Sequence, residues 1–344
     1  MNTGSAGMAR ELEDAPDAVR RQEASGKVVQ DLVARCKRHP PQLVVTCARG
    51  SSDNAATFGK HLIERYLGIP VAAAAPNIAT VYHQRLRLKD QLVLVVSQSG
   101  RSDDLTEFSR MAKSVGATTV AVVNDVASPL AEICDVVLPM AAGPEFSVAA
   151  TKSFIAALAM LLRITAAWSE DGALSAALGR LPDRLQQASS LDWGASVAAL
   201  SRANSLVTIG RGPTLAIARE AALKLKETCY LHAEAFSSAE FQHGPLSLVS
   251  PLYPIIMFMP TDAAAATMRE LASSLQAKGA ALFCTGNGGT AAAADQLPVL
   301  EPDQPDVDAV CLIQSFYAFV IRLAARRGTD VDVPRHLQKI TSTR

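Results

Sequence analysis

Three apolar, β-branched runs recur in this 344-residue chain at one constant spacing, and that spacing constrains the fold more than any single motif. Leu43–Cys47 is closed by Ala48-Arg49-Gly50-Ser51-Ser52, and Leu206–Ile209 is closed by Gly210-Arg211-Gly212-Pro213-Thr214, 162 positions later. The same offset sets Val93–Ser97 against Ile255–Met259, and Thr119–Val123 against Ala281–Thr285. A fixed offset across three runs marks an internal duplication. In the first copy a further strand is expected at Asp135–Leu138, and helices at Asp53–Tyr66, Asp103–Val115 and Thr151–Trp168. Short buried strands alternating with helices imply parallel sheets covered on both faces. The expectation is an α/β chain with two tandem doubly wound domains in α-β-α layers.

The expected division is a helical lead over 1–40, a first domain over 41–168, a polar helical connector containing Pro182 over 169–195, a second domain over 196–329 and a tail over 330–344. Met1–Gly7 reads as unstructured, with a helix starting near Met8. The longest apolar run, Phe154–Trp168, is interrupted by Arg163 and falls short of the roughly 20 residues a bilayer span needs. No signal-peptide core opens the chain, and six cysteines are scattered without C-x-x-C spacing, so a reduced, cytoplasmic protein is expected. Net charge is zero, which speaks against nucleic acid or an anionic membrane as partner. A phosphorylated ligand would be held by local dipoles.

The duplication is informative where it fails. In the first copy the second strand ends in Ser97-Gln98-Ser99-Gly100-Arg101-Ser102; the second copy has Met259-Pro260-Thr261-Asp262 there. Open α/β sheets bind ligands at the carboxyl ends of their strands. Ser97, Ser99 and Ser102 supply hydroxyls, Gly100 lets amide groups turn inward, and the helix starting near Asp103 adds a partial positive charge. Gly50, Ser51 and Ser52 end the neighbouring strand and converge on the same crevice. A plain capped strand–helix turn is the competing reading; the second hydroxyl pair favours a phosphate site.

Residues 220–245 carry the chemistry. Lys224 and Glu227 stand one helical turn apart, and His243 follows in a loop before Gly244-Pro245. A carboxylate base, an ammonium that keeps it ionised and an imidazole acid/base suit proton transfer on a sugar. An exposed salt bridge is the ordinary meaning of such a Lys/Glu pair, but Lys224 and Lys226 flank Leu225 in a mostly apolar helix, so one lysine must turn inward. Glu240 is placed to orient His243. No histidine pair has metal-ligand spacing, no G-x-G-x-x-G follows the first strand, and no G-K-[ST] is present, so neither metal nor cofactor is expected.

These residues resemble the sugar-isomerase (SIS) domain enzymes from Met8 to about Thr341. Within that family they look most like the isomerase half of glutamine–fructose-6-phosphate amidotransferase and the glucosamine-6-phosphate deaminases. The resemblance implies flavodoxin-like domains, phosphate binding by Ser52 and the Ser97-Gln98-Ser99-Gly100-x-Ser102 turn, Glu227 as isomerisation base with Lys224 beside it, and His243 presented to a partner subunit in a homodimer. It also implies that Lys339 of the tail reaches the substrate carbonyl end, as an imine or a charge clamp, and that Glu145-Phe146-Ser147-Val148-Ala149-Ala150-Thr151-Lys152 lines the sugar. Here Ala150 stands where the amidotransferase has serine. Arg101 replaces a carboxylate and is expected to face solvent.

The amidotransferase carries a glutaminase domain opened by a cysteine after the initiator methionine, whereas Asn2 follows Met1 here. The expected reaction is therefore glucosamine 6-phosphate to fructose 6-phosphate and ammonia. Galactosamine 6-phosphate or a fructosamine 6-phosphate is the alternative substrate, and a non-catalytic phosphosugar sensor the alternative class.

Overall fold

In the computed structural model, residues 6–286 and 296–339 are described. The chain divides into two compact units that interleave along it: Asp17–Glu145, Lys152–Gly179 and Gln338–Arg344 form one, and Met1–Pro16, Phe146–Thr151 and Arg180–Leu337 the other.

The unit beginning at Asp17 is built on strands β1 (Val44–Cys47), β2 (Val71–Ala73), β3 (Leu92–Ser97), β4 (Thr118–Val123) and β5 (Val136–Pro139). They lie in the order β2-β1-β3-β4-β5, and every pairing is parallel. The other unit holds β6 (Ser205–Gly210), β7 (His232–Ser237), β8 (Pro254–Met257), β9 (Ala281–Thr285) and β10 (Gln296–Leu297), in the order β10-β9-β8-β6-β7 and again all parallel. Numbered within each unit, both are the doubly wound order 2-1-3-4-5, whose ligand crevice falls between strands 1 and 3. The duplication read from the spacing is thus a duplication of topology. The central strands β3 and β4 read as continuous buried runs, as strands covered on both faces must.

Strands β2, β7 and β10 have no counterpart in the sequence reading. Strand β7 lies at a sheet edge, partly exposed along its length. Tyr230 ends helix Thr214–Cys229 in the left-handed region, φ 52°, with its N–H on the Leu225 carbonyl.

Two long apolar helices line the cores. Lys152–Ser169 is 18 residues long and lies within one residue of the expected Thr151–Trp168, and Pro305–Arg327 runs for 23. Both are long and apolar enough to cross a bilayer by length and composition, yet 78% and 83% of their apolar windows are buried inside the structure. Each fully buried Val, Ile, Leu or Phe contributes about 1.5–3 kcal/mol, and Val310, Ile313, Phe316, Val320 and Leu323 all supply such burial. The connector is helical over Gly172–Ala188 with Pro182 inside it. The expected unstructured lead falls largely outside the described residues; the first helix, Ala6–Glu13, begins before Met8.

Candidate active site

In the unit of β1–β5, β1 and β3 are neighbours and end side by side. Gly100, just past β3, has φ +63°, and a Cβ there would stand 2.1 Å from Ser128 Oγ and 2.6 Å from Ser128 Cβ, so no other residue fits. The turn is tied by its own hydroxyls. Ser97 Oγ accepts from Gly100 N–H at 3.0 Å, and Ser99 Oγ from Arg101 N–H at 3.3 Å. Each hydroxyl keeps its proton for a ligand. Ser102 occupies the N-cap of helix Asp103–Ser114 in extended conformation, and its side chain makes no capping bond, so the helix end remains open to an anion. Gln98 and Ser99 are half-buried between them.

Arg49 joins this turn to the end of β1. Its Nε and Nη2 lie 2.9 and 2.8 Å from Oδ2 of buried Asp104. Gly50, with φ +56°, precedes half-buried Ser51 and Ser52, which open helix Ser51–Leu67. The structure thus brings Gly50, Ser51, Ser52 and the serine turn to one end of one sheet. Arg101 is exposed as expected, with its guanidinium 2.7 Å from Asp125; that hydrogen bond holds the Asp125 carboxyl below its ordinary pKa.

Lys339 belongs to the same unit, and its Nζ lies 3.0 Å from Oε2 of Glu145. Glu145 is buried and also accepts from Ser153 Oγ at 2.6 Å and Ser153 N–H at 3.1 Å. The sequence reading quoted Glu145 without assigning it this partner.

In the other unit, β6 runs into helix Thr214–Cys229 through Gly210. A Cβ on Gly210 would meet the Thr214 carbonyl oxygen at 2.2 Å, so glycine alone lets the helix start this close to its strand. Thr214 Oγ1 locks the junction by donating to the Phe258 carbonyl at 2.7 Å. The helix then carries Glu220, Lys224 and Glu227 along one face. Lys224 is the lysine that turns inward, with a fully buried side chain, while Lys226 is exposed. Its ammonium lies 3.3 Å from Glu220 and makes a short ion pair with Glu227. Tyr317 OH donates to Glu220 at 3.1 Å. Burial alone would push the Lys224 pKa down; Glu220 and Glu227 outweigh it and hold the pKa above the ordinary lysine value. Glu227 keeps 19% of its side chain exposed, so a carboxylate fixed by a buried cation still reaches solvent.

Val148 and Ala150, both half-buried, lie in the loop Phe146–Thr151 of this unit. Two carboxylates remote in sequence hold that loop. Glu11 accepts from Phe146 N–H and, at 3.2 Å, from Ser147 N–H; Asp332 accepts from Ser147 Oγ at 2.9 Å and from Met8 N–H at 2.8 Å. The tail up to Asp332 is therefore tied down. His243 is exposed in the turn after Ser238–Phe241. Its link to Glu240 is through the main chain, His243 N–H to the Glu240 carbonyl at 2.9 Å, and not between side chains as expected.

Sequence reasoning missed Glu220, Tyr317, Glu11 and Asp332. The i−4 spacing from Lys224 could have found Glu220; no local signal marks the other three. Among the described residues no group of three His, Cys, Asp or Glu side chains is placed to hold a metal ion.

The family model for the SIS domain matches residues 40–167 and 199–322. A glutamine–fructose-6-phosphate aminotransferase (isomerizing) of Symbiobacterium thermophilum is 35% identical over 314 residues, which is 86% of this chain and 51% of that protein. The chain spans about half the length of the curated relatives it matches. A crystal structure from Silicibacter pomeroyi DSS-3, provisionally named a phosphosugar isomerase, superposes with a TM-score of 0.89 at 44% identity, covering 94% of this chain and 99% of that one. Glucosamine-6-phosphate deaminase from Thermotoga maritima shares the fold, with a TM-score of 0.75 at 22% identity over 98% of this chain and all of that one.

Proposed function

The chain belongs to the SIS-domain family, and on that premise we propose that it is an aldose–ketose isomerase of an amino sugar phosphate, converting glucosamine 6-phosphate and water to fructose 6-phosphate and ammonia. The observation that carries the reading is the buried Lys224 held between Glu220 and Glu227, with Glu227 alone of the three reaching solvent. A simple surface salt bridge has no need of a desolvated lysine.

In this reaction the Ser97–Ser102 turn and Ser52 hold the phosphate with hydroxyls and a helix N-terminus. His243 moves the proton that opens the ring, freeing the C1 aldehyde. The Glu227 carboxylate takes the C2 proton and returns it to C1, leaving a C2 imine; the Lys224 ammonium holds that carboxylate in place through their ion pair. Water adds to the imine carbon and ammonia leaves, so the atoms balance with no further co-substrate. Val148 and Ala150 line the sugar, and Lys339, released from Glu145, steadies the developing oxyanion.

The exposure of His243, and the lack of a protein hydrogen-bond partner for its imidazole among the described residues, support its acting on a second copy of the chain in a homodimer. Purified protein given glucosamine 6-phosphate should release ammonia and fructose 6-phosphate in equal amounts, and Glu227→Gln should lower kcat by about 10²–10⁴ while still binding the sugar phosphate. Glu227→Gln and His243→Ala chains, each inactive, should regain activity when mixed. No turnover on this sugar would sink the substrate assignment, with galactosamine 6-phosphate and fructosamine 6-phosphate next to try. Binding without turnover on all three would favour a sensor.

A further inference from the structure

The sheet of β6–β10 carries an opening that the proposed reaction does not use. A cavity of about 260 Å³ is lined by Thr214 after β6, Met259 after β8 and Gly286 after β9. Within its own unit it occupies the crevice between strands 1 and 3 that the serine turn occupies in the other copy. The duplication therefore preserved a ligand-binding position while changing what lines it.

The change of lining is specific. Where the first copy presents Ser97, Gln98 and Ser99, this one presents Met259, Pro260 and Thr261, whose hydroxyl is spent on Asp308 at 2.9 Å, and helix Pro305–Arg327 adds Ala309 and Leu312. Such walls do not suit a bare phosphate; they suit a ring system. An apolar cavity of about 150 Å³ holds benzene, so this one has room for two fused rings. The charged groups of the lining are Arg184, Arg269 and Asp308, a surplus of one positive charge. Arg184 spends Nη2 on Asp308 at 2.7 Å and on the Glu301 carbonyl at 2.9 Å. Its Nε is buried without a well-aligned hydrogen bond, and its guanidinium lies against the Cys311 thiol, a weak acceptor. Arg269 is exposed, and no ion pair among the described residues engages it.

We propose that this cavity is a second ligand site, taking a small molecule with an aromatic body of about two rings and one anionic group. It stands independently of the reaction assigned above.

Naphthalene-2-sulfonate, neutral naphthalen-2-ol and inorganic sulfate are the probes, titrated into the full chain by calorimetry or saturation-transfer NMR. The sulfonate should bind saturably. Ala309→Phe, which fills the cavity, should weaken it at least about tenfold, or about 1.4 kcal/mol. Arg269→Ala should weaken the sulfonate about threefold and leave naphthalen-2-ol unchanged. Should Ala309→Phe not fold, the surface change Arg269→Ala carries the comparison alone. No saturable binding, equal affinity in the native chain and the variants, or displacement of the sulfonate by sulfate alone would each overturn the proposal.

Discussion

A lysine with no exposed surface is tolerated only where its charge is matched, and Lys224 is matched by Glu220 and Glu227 together. Removing one partner of a buried ion pair costs about 3–5 kcal/mol, because the opposite charge stays behind uncompensated. Lys224→Met should therefore destabilise the chain by about that much near neutrality, although methionine matches the stem in volume. The two carboxylates would then face each other without a cation, and each raises the other's pKa above its unfolded value. A carboxyl raised in the folded state gives stability that is present at low pH and lost as pH rises, so the deficit should shrink on mild acidification. Urea titrations of both chains at two pH values read this directly; a deficit independent of pH would mean that the loss is one of packing. In the native chain the sign runs differently. The raised Lys224 pKa gives stability present below the unfolded lysine value and lost only above it, so the contribution is constant through the neutral range. At this scale the spacing made Lys224 and Glu227 legible, because helical neighbours are three or four positions apart. Tyr317, brought to Glu220 from 97 positions away, was not, since nothing local marks such a contact.

Among the elements, the turn after β3 depends on one glycine more than on any serine. At Gly100 an added Cβ meets Ser128 side-chain atoms at 2.1 and 2.6 Å in a left-handed conformation, whereas at Gly50, also left-handed, it meets nothing within 4 Å. Gly50→Ala should thus carry only the backbone penalty of a positive φ with ψ −132°, about 1–3 kcal/mol. Gly100→Ala adds a collision between tightly packed atoms, of the kind that costs about 1–3 kcal/mol, and it displaces the amides that Ser97 and Ser99 hold. The expected result is loss of phosphosugar affinity in Gly100→Ala with a smaller change in Gly50→Ala, measured by calorimetry on both. Equal affinities would separate the turn from phosphate binding. The same contrast explains what sequence could reveal about the fold. Strands β1, β3 and β4, with their counterparts β6, β8 and β9, are buried on both faces and so read as unbroken apolar runs. Strands β2 and β10 are three and two residues long, and β7 is partly exposed at an edge, too short or too mixed to show a period. Helix Pro305–Arg327 is buried on nearly every side, so it lacks the one-sided stripe that marks a helix in sequence.

Over the whole molecule, the six cysteines report on how each unit holds together. All six are free and buried, with Cys36, Cys47 and Cys134 in the unit of β1–β5 and Cys229, Cys284 and Cys311 in the unit of β6–β10. Burial pushes the thiols of Cys36, Cys134 and Cys229 up to about 11 and that of Cys311 up to about 12, and it raises Cys47 as well. A thiol raised in the folded state gives stability that is whole below the unfolded value, about 8.5, and is lost as pH rises through the folded one. Stability should therefore fall as pH rises above about 8.5. Since the thiolate is the reactive form, native protein near neutral pH should resist alkylation at all six positions. Labelling then depends on opening, and cores of this kind open as cooperative blocks. Pulsed alkylation along a urea gradient, read by mass spectrometry, should show the three thiols of a given unit becoming labelled together. Wide separation of the midpoints within one unit would mean that its sheet does not unfold as one body. A thiol reacting in the native state would instead locate a segment that opens without the rest.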